Sequence, residues 1–255
     1  MNRQLTPPDG FHNLFGPRAA EYIESRPRYP KPLFHYLAVV SGGTRLAWDC
    51  ATGNGQAAVD LAERFARVVA TDASAEMISR AIPHPRVIYQ VTKYGSGLPD
   101  GSVNLVTVAQ ALHWLEIDPF VREVRRVLVP GGVLAAWCYS LCRIEPGIDE
   151  VVDRFYHVAL GSFWPAERRH VEDGYRSIAL PLEEIVPPPI EMVEDWTMPQ
   201  FLSFVRTWSA VSKCIAAQGE EPVRAFEEAL RARWGMPMMR REVHWPIQLR
   251  IGHLR

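Results

Sequence analysis

The sequence has few cysteines, little net charge and no long apolar run, and each shortage excludes a class of protein. Four cysteines in 255 residues are too few for a disulfide scaffold. The net charge is −1 and no lysine- or arginine-rich run occurs, so nothing predicts nucleic-acid binding. No apolar stretch approaches the ~20 residues of a membrane helix, and residues 1–8 lack an apolar signal core. We therefore expect a soluble, cytoplasmic protein without a membrane partner.

Several catalytic patterns are absent as well. Cys138 and Cys142 have the spacing that begins an iron–sulfur motif, but Glu145 occupies the position of the third thiolate. There is no nucleophile elbow, and no cluster of histidine, cysteine and acidic residues has the spacing of metal ligands. The sequence thus predicts no metal site, and the cysteines are interpreted as reduced and buried.

The most informative pattern is a short apolar strand followed by a turn of small residues and a helix. Apolar residues 46–48 lead into Asp49, and the small residues of the turn 51–55 precede a helical pattern. Strand, turn and helix in this order form a nucleotide-binding corner. The next strand ends in Asp72, where a carboxylate can accept hydrogen bonds from both ribose hydroxyls.

The identity of the nucleotide depends on Asp49. Gly53, Gly55 and Ala58 also fit the dinucleotide fingerprint. A carboxylate at Asp49, however, would repel a pyrophosphate by roughly 1–4 kcal/mol even with solvent screening. It would attract a ligand with an ammonium, a sulfonium and no phosphate. We therefore predict S-adenosylmethionine as the cofactor; an NAD-dependent oxidoreductase and a non-catalytic S-adenosylmethionine-binding module are the alternatives.

Hydrophobic periodicity predicts alternating strands and helices, which is typical of a doubly wound α/β fold with a parallel sheet. Strands are predicted at 45–50, 67–72, 87–91, 104–110, 133–139, 190–196 and 242–250. Helices are predicted at 56–65, 74–81, 117–128, 147–160, 199–217 and 221–234. Pro246 in the last strand predicts an edge or bulge position, because proline has no N–H to donate.

Several motifs are shared with a known family. They are Asp49-x-x-x-Gly53-x-Gly55, Asp72-Ala73-Ser74-x-x-Met77, Ala109-Gln110-Ala111-Leu112-His113-Trp114, Leu128-Val129-Pro130-Gly131-Gly132-x-Leu134, Tyr22-x-x-x-Arg26-Pro27-x-Tyr29-Pro30, Thr207-Trp208-Ser209-Ala210 and Val243-x-Trp245-Pro246-x-x-Leu249-Arg250. In these motifs the chain resembles the class I S-adenosylmethionine-dependent methyltransferases, and within them the trans-aconitate-methyltransferase-like group. The resemblance implies a Rossmann-like, seven-stranded, mostly parallel sheet with an antiparallel last strand and a helical cap inserted before it.

This family implies one methyltransferase domain over residues 1–255. Its expected parts are an N-terminal lid at 1–40, a cofactor-binding core at 41–145, a helical cap and substrate region at 146–240, and the final strand at 241–255. The expected partner is a small-molecule substrate, and the expected assembly is a monomer or a weak homodimer.

The resemblance also implies a set of cofactor-binding residues. Asp49 would face the methionine ammonium, Asp72 would hold the ribose diol, and Gln110 would meet the methionine end through its backbone. The set is Tyr22, Arg26, Asp49, Ala51, Gly53, Gly55, Asp72, Ala73, Met77, Tyr94 and Gln110. The glycines would let the backbone close on the ligand, Met77 would flank the adenine, and Tyr22 and Arg26 would belong to the lid.

Three positions depart from the family pattern. Ala51 replaces the first glycine of the usual motif, which an alanine satisfies if its φ is negative. Lys93 and Tyr94 replace the usual alanine and acid after the third strand, so the adenine edge would be read by backbone or by Tyr94. Asn104 replaces the usual acid that opens the fourth strand.

The expected chemistry is O-methylation of a carboxylate by direct in-line transfer, which needs no general base. His113 and Trp114 follow the fourth strand, at the edge where open α/β sheets bind ligands. They are the predicted catalytic residues, with His113 as a substrate contact or as a base for a hydroxyl or amine; the alternative is that they only pack.

Substrate residues are expected around the end of the fifth strand. Tyr139 and Trp164 are the predicted pocket wall. Arg206 is a candidate for clamping a substrate carboxylate, as are Arg18, Arg143 and Arg169, although each alone also fits a solvated surface arginine.

Overall fold

The structure, a computed structural model, describes residues 26–255. Tyr22 and most of the predicted lid at 1–40 therefore lie outside the described residues. The helices are α1 (Lys31–Val40), α2 (Gln56–Ala62), α3 (Ala75–Ser79), α4 (Ile117–Val127), α5 (Pro146–Arg154), α6 (Arg168–Glu172), α7 (Met198–Arg206), α8 (Ser209–Gln218) and α9 (Glu221–Trp234). The strands are β1 (Leu46–Cys50), β2 (Arg67–Asp72), β3 (Val87–Val91), β4 (Val103–Ala109), β5 (Leu128–Tyr139), β6 (Leu182–Glu184), β7 (Glu191–Trp196) and β8 (Arg241–Leu254).

Seven of these strands follow one another across the sheet in the order β3-β2-β1-β4-β5-β8-β6. The first five in this order are parallel, whereas β8 runs antiparallel to both β5 and β6. The eighth strand, β7, pairs antiparallel with the first half of β8. The predicted mostly parallel α/β sheet with an antiparallel last strand is confirmed.

The central strands β1, β2 and β4 are buried on both faces of the sheet, with successive residues pointing to opposite sides. Ala47 packs with α1 and α2 on one face, and its neighbour Trp48 packs with α4 on the other. Both side chains are fully buried. A strand buried on both faces reads as a continuous apolar run, which is why periodicity located these strands correctly.

The segment 146–240 differs from the predicted helical cap. It contains β6 and β7, and the short β6 at residues 182–184 was not predicted. The predicted helix 199–217 is two helices, because Trp208 adopts extended backbone between α7 and α8. Pro246 lies where β8 changes its partner from β7 to β5, so its missing N–H falls at a break in pairing.

No helix within residues 26–255 combines the length and the apolar character needed to cross a bilayer.

Candidate functional site

The turn between β1 and α2 has three residues in left-handed backbone. Ala51 has a φ of 56°, Gly53 of 60° and Gly55 of 87°. The condition under which an alanine would fit without strain, a negative φ at Ala51, is not met. The Cβ of Ala51 makes this left-handed conformation unfavourable by about 1–2 kcal/mol.

We expect Ala51→Gly to stabilise the protein by about 0.5–1 kcal/mol, because relief of left-handed strain exceeds the added entropy of the unfolded chain. Urea unfolding would measure this change. Ala216→Gly, at an exposed position of α8 with helical backbone, is the matched control and should lose about 1 kcal/mol. A loss of stability in both variants would contradict the strain at Ala51.

The two glycines of the turn have different neighbours. A Cβ at Gly53 would lie 3.4 Å from Met77 Cε, an ordinary contact. A Cβ at Gly55 would lie 2.1 Å from the Tyr89 hydroxyl oxygen, and that hydroxyl donates to the Ile82 carbonyl at 2.7 Å. Glycine at position 55 is therefore required by its left-handed backbone and by the ring of Tyr89, a residue of β3, while the approach of a ligand to Gly55 stays a prediction.

Asp49 lies beneath this turn and is 0% exposed. Its two oxygens accept hydrogen bonds from the Thr52 hydroxyl at 2.5 Å and the Thr107 hydroxyl at 2.6 Å. Burial raises the pKa of Asp49 to about 6, against the lowering effect of the two threonines, and the charge of Asp72 adds to the increase. Because the carboxylate is enclosed by the turn, its expected direct contact with a ligand ammonium stays a prediction.

Asp72 closes the corner from the end of β2. Its carboxylate accepts from the Gly53 N–H and the Ser74 N–H, both at 2.8 Å. The Ser74 hydroxyl in turn accepts from the Met77 N–H at 3.2 Å and caps α3, while Ala73 lies in the connecting turn. Burial raises the pKa of Asp72. The predicted residues of the two motifs are thus brought together, with Met77 over Gly53.

Gln110 joins the ends of β4 and β5. It has a φ of 57°, and its side-chain amide donates to the Tyr139 carbonyl and accepts from the Tyr139 N–H, both at 2.9 Å. Its own N–H donates to the Trp137 carbonyl at 2.8 Å. The backbone N–H is therefore committed to β5, and only the Gln110 carbonyl remains as a backbone group for a ligand.

Tyr94 is held at the start of α4 by two contacts. Its hydroxyl oxygen accepts from the Glu116 N–H at 3.2 Å, and the Lys93 ammonium lies 5.0 Å from its ring centroid. Lys93 also pairs with the Glu116 carboxylate at 2.7 Å. The part of Tyr94 in reading the adenine edge stays a prediction.

A cavity lies beyond the ends of β4 and β5. Its lining is Arg26, Gln110, His113, Trp114, Tyr139, Ser140, Leu141, Tyr156, Trp164, Pro165, Arg168, Phe204, Trp208 and Ser209. The structure therefore brings together six of the predicted site residues: Arg26, Gln110, His113, Trp114, Tyr139 and Trp164. Among the described residues, two arginines and several aromatic rings line the cavity, and no carboxylate does.

Arg168 is a charged cavity residue that the sequence did not reveal. Its guanidinium lies 4.9 Å from the Trp164 ring centroid and 5.6 Å from that of Tyr156, and its Nε donates to the Tyr156 hydroxyl at 2.7 Å. Within residues 26–255 no carboxylate lies within ion-pair distance of Arg168. The arginine that the sequence proposed, Arg169, is its neighbour on α6 and does not line the cavity. Nothing in the local sequence distinguishes the two arginines, because the orientation of α6 about its axis determines which of them faces the cavity.

The other wall carries Arg26. Its Nη1 donates to the Tyr139 hydroxyl at 3.0 Å, and its guanidinium lies 5.6 Å from the Phe204 ring centroid.

Arg206 lies outside the cavity lining, contrary to its expected place at the substrate. Its guanidinium pairs with Glu227 at 2.5 Å and with Glu220 at 3.3 Å, and it does not line the cavity. These ion pairs connect α7 to α9, so the arginine stabilises the cap instead.

His113 is neutral at physiological pH. Burial lowers its pKa to about 3, and the positive charge of Arg168 contributes. Its Nδ1 lies 3.2 Å from the Tyr175 hydroxyl, and its ring centroid lies 4.5 Å from that of Trp114, which is 41% exposed. A histidine with this pKa is a poor general base but still a hydrogen-bonding group.

Metal ligands are not assembled in the described part of the chain: no group of three or more histidine, cysteine or acidic side chains converges there.

Proteins that resemble this chain are methyltransferases. A family model described as a methyltransferase domain matches residues 48–136. A solved structure from Anaeromyxobacter dehalogenans, described as a type II methyltransferase, is 46% identical, with a TM-score of 0.86, and the match covers 89% of this chain and 97% of that chain. A methyltransferase of Dictyostelium discoideum is 29% identical over 235 residues, covering 90% of this chain and 89% of the relative. An uncharacterized methyltransferase of Mycobacterium bovis is 37% identical over 122 residues, or 47% of this chain and 49% of the relative.

Proposed function

The chain belongs to the class I S-adenosylmethionine-dependent methyltransferases, and we propose that it methylates a carboxylate oxygen of a small organic acid. The NAD-dependent and non-catalytic alternatives are therefore set aside. Carboxylate methylation is the chemistry of the trans-aconitate-methyltransferase-like group that the sequence resembles. The cofactor, when bound, supplies a methyl group on a sulfonium. The residues of this chain bind the cofactor and the substrate, orient them towards each other and exclude water from the site.

The corner between β1 and α2 fits this cofactor by its charge. Asp49 and Asp72 lie close enough for the charge of Asp72 to help burial raise the pKa of Asp49. Such a pair repels a pyrophosphate and attracts a cation. We assign the Asp72 carboxylate to the ribose diol and Met77 to the nucleoside. Asp49 acts through its negative charge from beneath the turn.

The observation that carries the substrate proposal is Arg168. A guanidinium that stacks on an indole and has no acidic partner in residues 26–255 is suited to bind an anion at the cavity. Arg26 adds a second positive charge to the same lining. The aromatic rings around both arginines exclude water and strengthen the attraction.

The protonation state of His113 favours the same substrate class. A hydroxyl or ammonium acceptor must lose a proton before or during transfer, whereas a carboxylate is already ionised at neutral pH. His113, with a pKa lowered to about 3, does not supply the base that such acceptors need. Catalysis then consists of orienting the carboxylate towards the methyl group, which can lower the barrier by roughly 7–11 kcal/mol. The negative carboxylate and the positive sulfonium neutralise each other during transfer, which a site without water favours.

We expect Arg168→Met to lower kcat/KM for the acid about tenfold, which is the low end of the effect of losing a charge-assisted hydrogen bond at a partly exposed side chain. The measurement is methyl-ester formation from a panel of small carboxylic acids, amines and phenols with S-adenosylmethionine. Affinity for S-adenosylhomocysteine, measured by calorimetry, should not change, because Arg168 lies in the substrate cavity.

The matched control is Arg169→Met, which removes the same charge one residue away and outside the cavity lining. Its kcat/KM for the acid should equal that of the wild type. Methylation of amines or phenols alone, with no acid turned over, would overturn the proposed substrate class while leaving the family unaffected.

A further inference from the structure

Tyr175 is a buried residue held in strained backbone next to the cavity. It is 0% exposed and has a φ of 65°. A left-handed conformation disfavours a tyrosine by about 1–2 kcal/mol, so surrounding contacts must hold it. The Arg250 Nη1 donates to the Tyr175 carbonyl at 2.7 Å and to the Ile178 carbonyl at 2.6 Å, and the Tyr175 N–H donates to the His170 carbonyl at 2.7 Å.

The phenol of Tyr175 reaches His113. Its oxygen lies 3.2 Å from Nδ1, and the two ring centroids are 5.9 Å apart. Within residues 26–255, Nδ1 is the one acceptor within hydrogen-bond distance of this hydroxyl. Burial raises the pKa of Tyr175 well above its usual value, so the phenol keeps its proton. A buried O–H without an acceptor costs about 1–3 kcal/mol, which favours donation to Nδ1.

A hydrogen bond from the Tyr175 hydroxyl to Nδ1 determines the protonation of the other ring nitrogen of His113. A neutral imidazole carries one proton, so an Nδ1 that accepts leaves the N–H on Nε2. Nε2 has no hydrogen-bond partner among the described residues, and His113 lines the cavity. The N–H is therefore available to a molecule bound in the cavity.

We propose that Tyr175 is a positioning residue that holds His113 in the Nε2–H tautomer, so that His113 donates a hydrogen bond to an oxygen of the substrate carboxylate. The assignment of the acceptor rests on the proposed function. The tautomer itself does not.

This role has a kinetic consequence. The carboxylate loses its negative charge as the methyl group is transferred, so a donor to it stabilises the bound acid more than the transition state. His113 therefore contributes to binding and orientation. Its loss should appear mainly in KM.

The first test reads the tautomer without any substrate. Long-range ¹H–¹⁵N spectra of the ¹⁵N-histidine-labelled protein distinguish Nε2–H from Nδ1–H, and the His113 signal is the one that disappears in His113→Gln. We expect Nε2–H in the wild type and a mixture of both tautomers in Tyr175→Phe. Tyr36→Phe is the control, because the Tyr36 hydroxyl has no partner within residues 26–255. A wild-type Nδ1–H signal, or an unchanged Tyr175→Phe spectrum, would overturn the proposal.

The second test uses two amide replacements at His113. In His113→Gln the side-chain amide nitrogen would lie near the position of Nε2, whereas the shorter side chain of His113→Asn reaches only the position of Nδ1. We expect His113→Gln to keep KM for the acid within about threefold and His113→Asn to raise it about tenfold, with kcat changed less in both. An equal or lower KM in His113→Asn would exclude the donor role. If no acid is methylated, the proposed function fails, and the tautomer result stands separately.

Discussion

Gly55→Ala is expected to lose about 3–4 kcal/mol of unfolding free energy, while Gly53→Ala loses about 1–2 kcal/mol. Both positions have positive φ, so both alanines carry the strain of left-handed backbone. Only the Gly55 variant also places a Cβ 2.1 Å from the Tyr89 hydroxyl oxygen. The ring cannot swing away freely, because its hydroxyl is bonded to the Ile82 carbonyl at 2.7 Å.

Chemical denaturation of both variants measures this difference. A cycle with Tyr89→Ala isolates the steric part: the Gly55→Ala and Tyr89→Ala changes should be non-additive by about 1–3 kcal/mol, since the smaller side chain removes the overlap. Equal losses in Gly55→Ala and Gly53→Ala would show that Tyr89 does not require the glycine.

Asp49→Asn is expected to stabilise the free protein at pH 7 by about 1–2 kcal/mol and to weaken binding of S-adenosylmethionine. Burial raises the pKa of Asp49 from its ordinary 3.8 to about 6, so between these values the native state binds more protons than the unfolded state. Stability from this group is complete below pH 3.8 and is lost as the pH rises through 6. The full destabilisation caused by ionised Asp49 is about 3 kcal/mol. Asparagine removes this cost, but its amide forms imperfect hydrogen bonds with the two threonines, so the net stabilisation is smaller.

The measurement is the unfolding free energy of wild type and variant from about pH 4 to about pH 7.5. The difference in unfolding free energy between variant and wild type should change by about 2.4 kcal/mol across this window. Thr107→Val should move the window to higher pH, because the Thr107 hydroxyl lowers the pKa of Asp49. A difference that stays constant with pH would contradict a buried, titrating carboxylate at this position.

Cofactor binding is expected to change in the opposite direction. The negative charge that destabilises the empty protein attracts a cationic ligand, so Asp49→Asn exchanges affinity for stability. Titration calorimetry with S-adenosylmethionine measures the affinity of the wild type and of Asp49→Asn. A variant that binds as tightly as the wild type would show that Asp49 shapes the turn without attracting the ligand.

Much of the cofactor corner could be predicted because it is local in sequence. Gly53, Asp72 and Met77 come together through one strand–helix–strand unit, and the strands that carry them are apolar on both faces. Backbone conformation was harder to predict, since the φ of Ala51 depends on how the whole turn closes. The contact between Gly55 and Tyr89 could not be predicted, because Tyr89 is 34 positions further along the chain.

The substrate cavity was only half predictable. His113 and Trp114 follow a strand whose end marks a ligand edge, and Tyr139 ends the neighbouring strand. Arg168 could not be separated from Arg169, because the two differ only in the direction they take from α6. The ion pairs of Arg206 could not be predicted, because its acidic partners, in and just before α9, are distant in sequence.

The sequence by itself determined the parallel part of the sheet, the family and the carboxylates at the ends of β1 and β2, because apolar strands and small-residue turns act over short stretches of chain. Tertiary structure decided which arginine faces the cavity, which tyrosine holds His113 and how deeply Asp49 is buried. Those properties depend on contacts between segments that are far apart in the sequence. Their burial and hydrogen bonds arise only when these segments pack together.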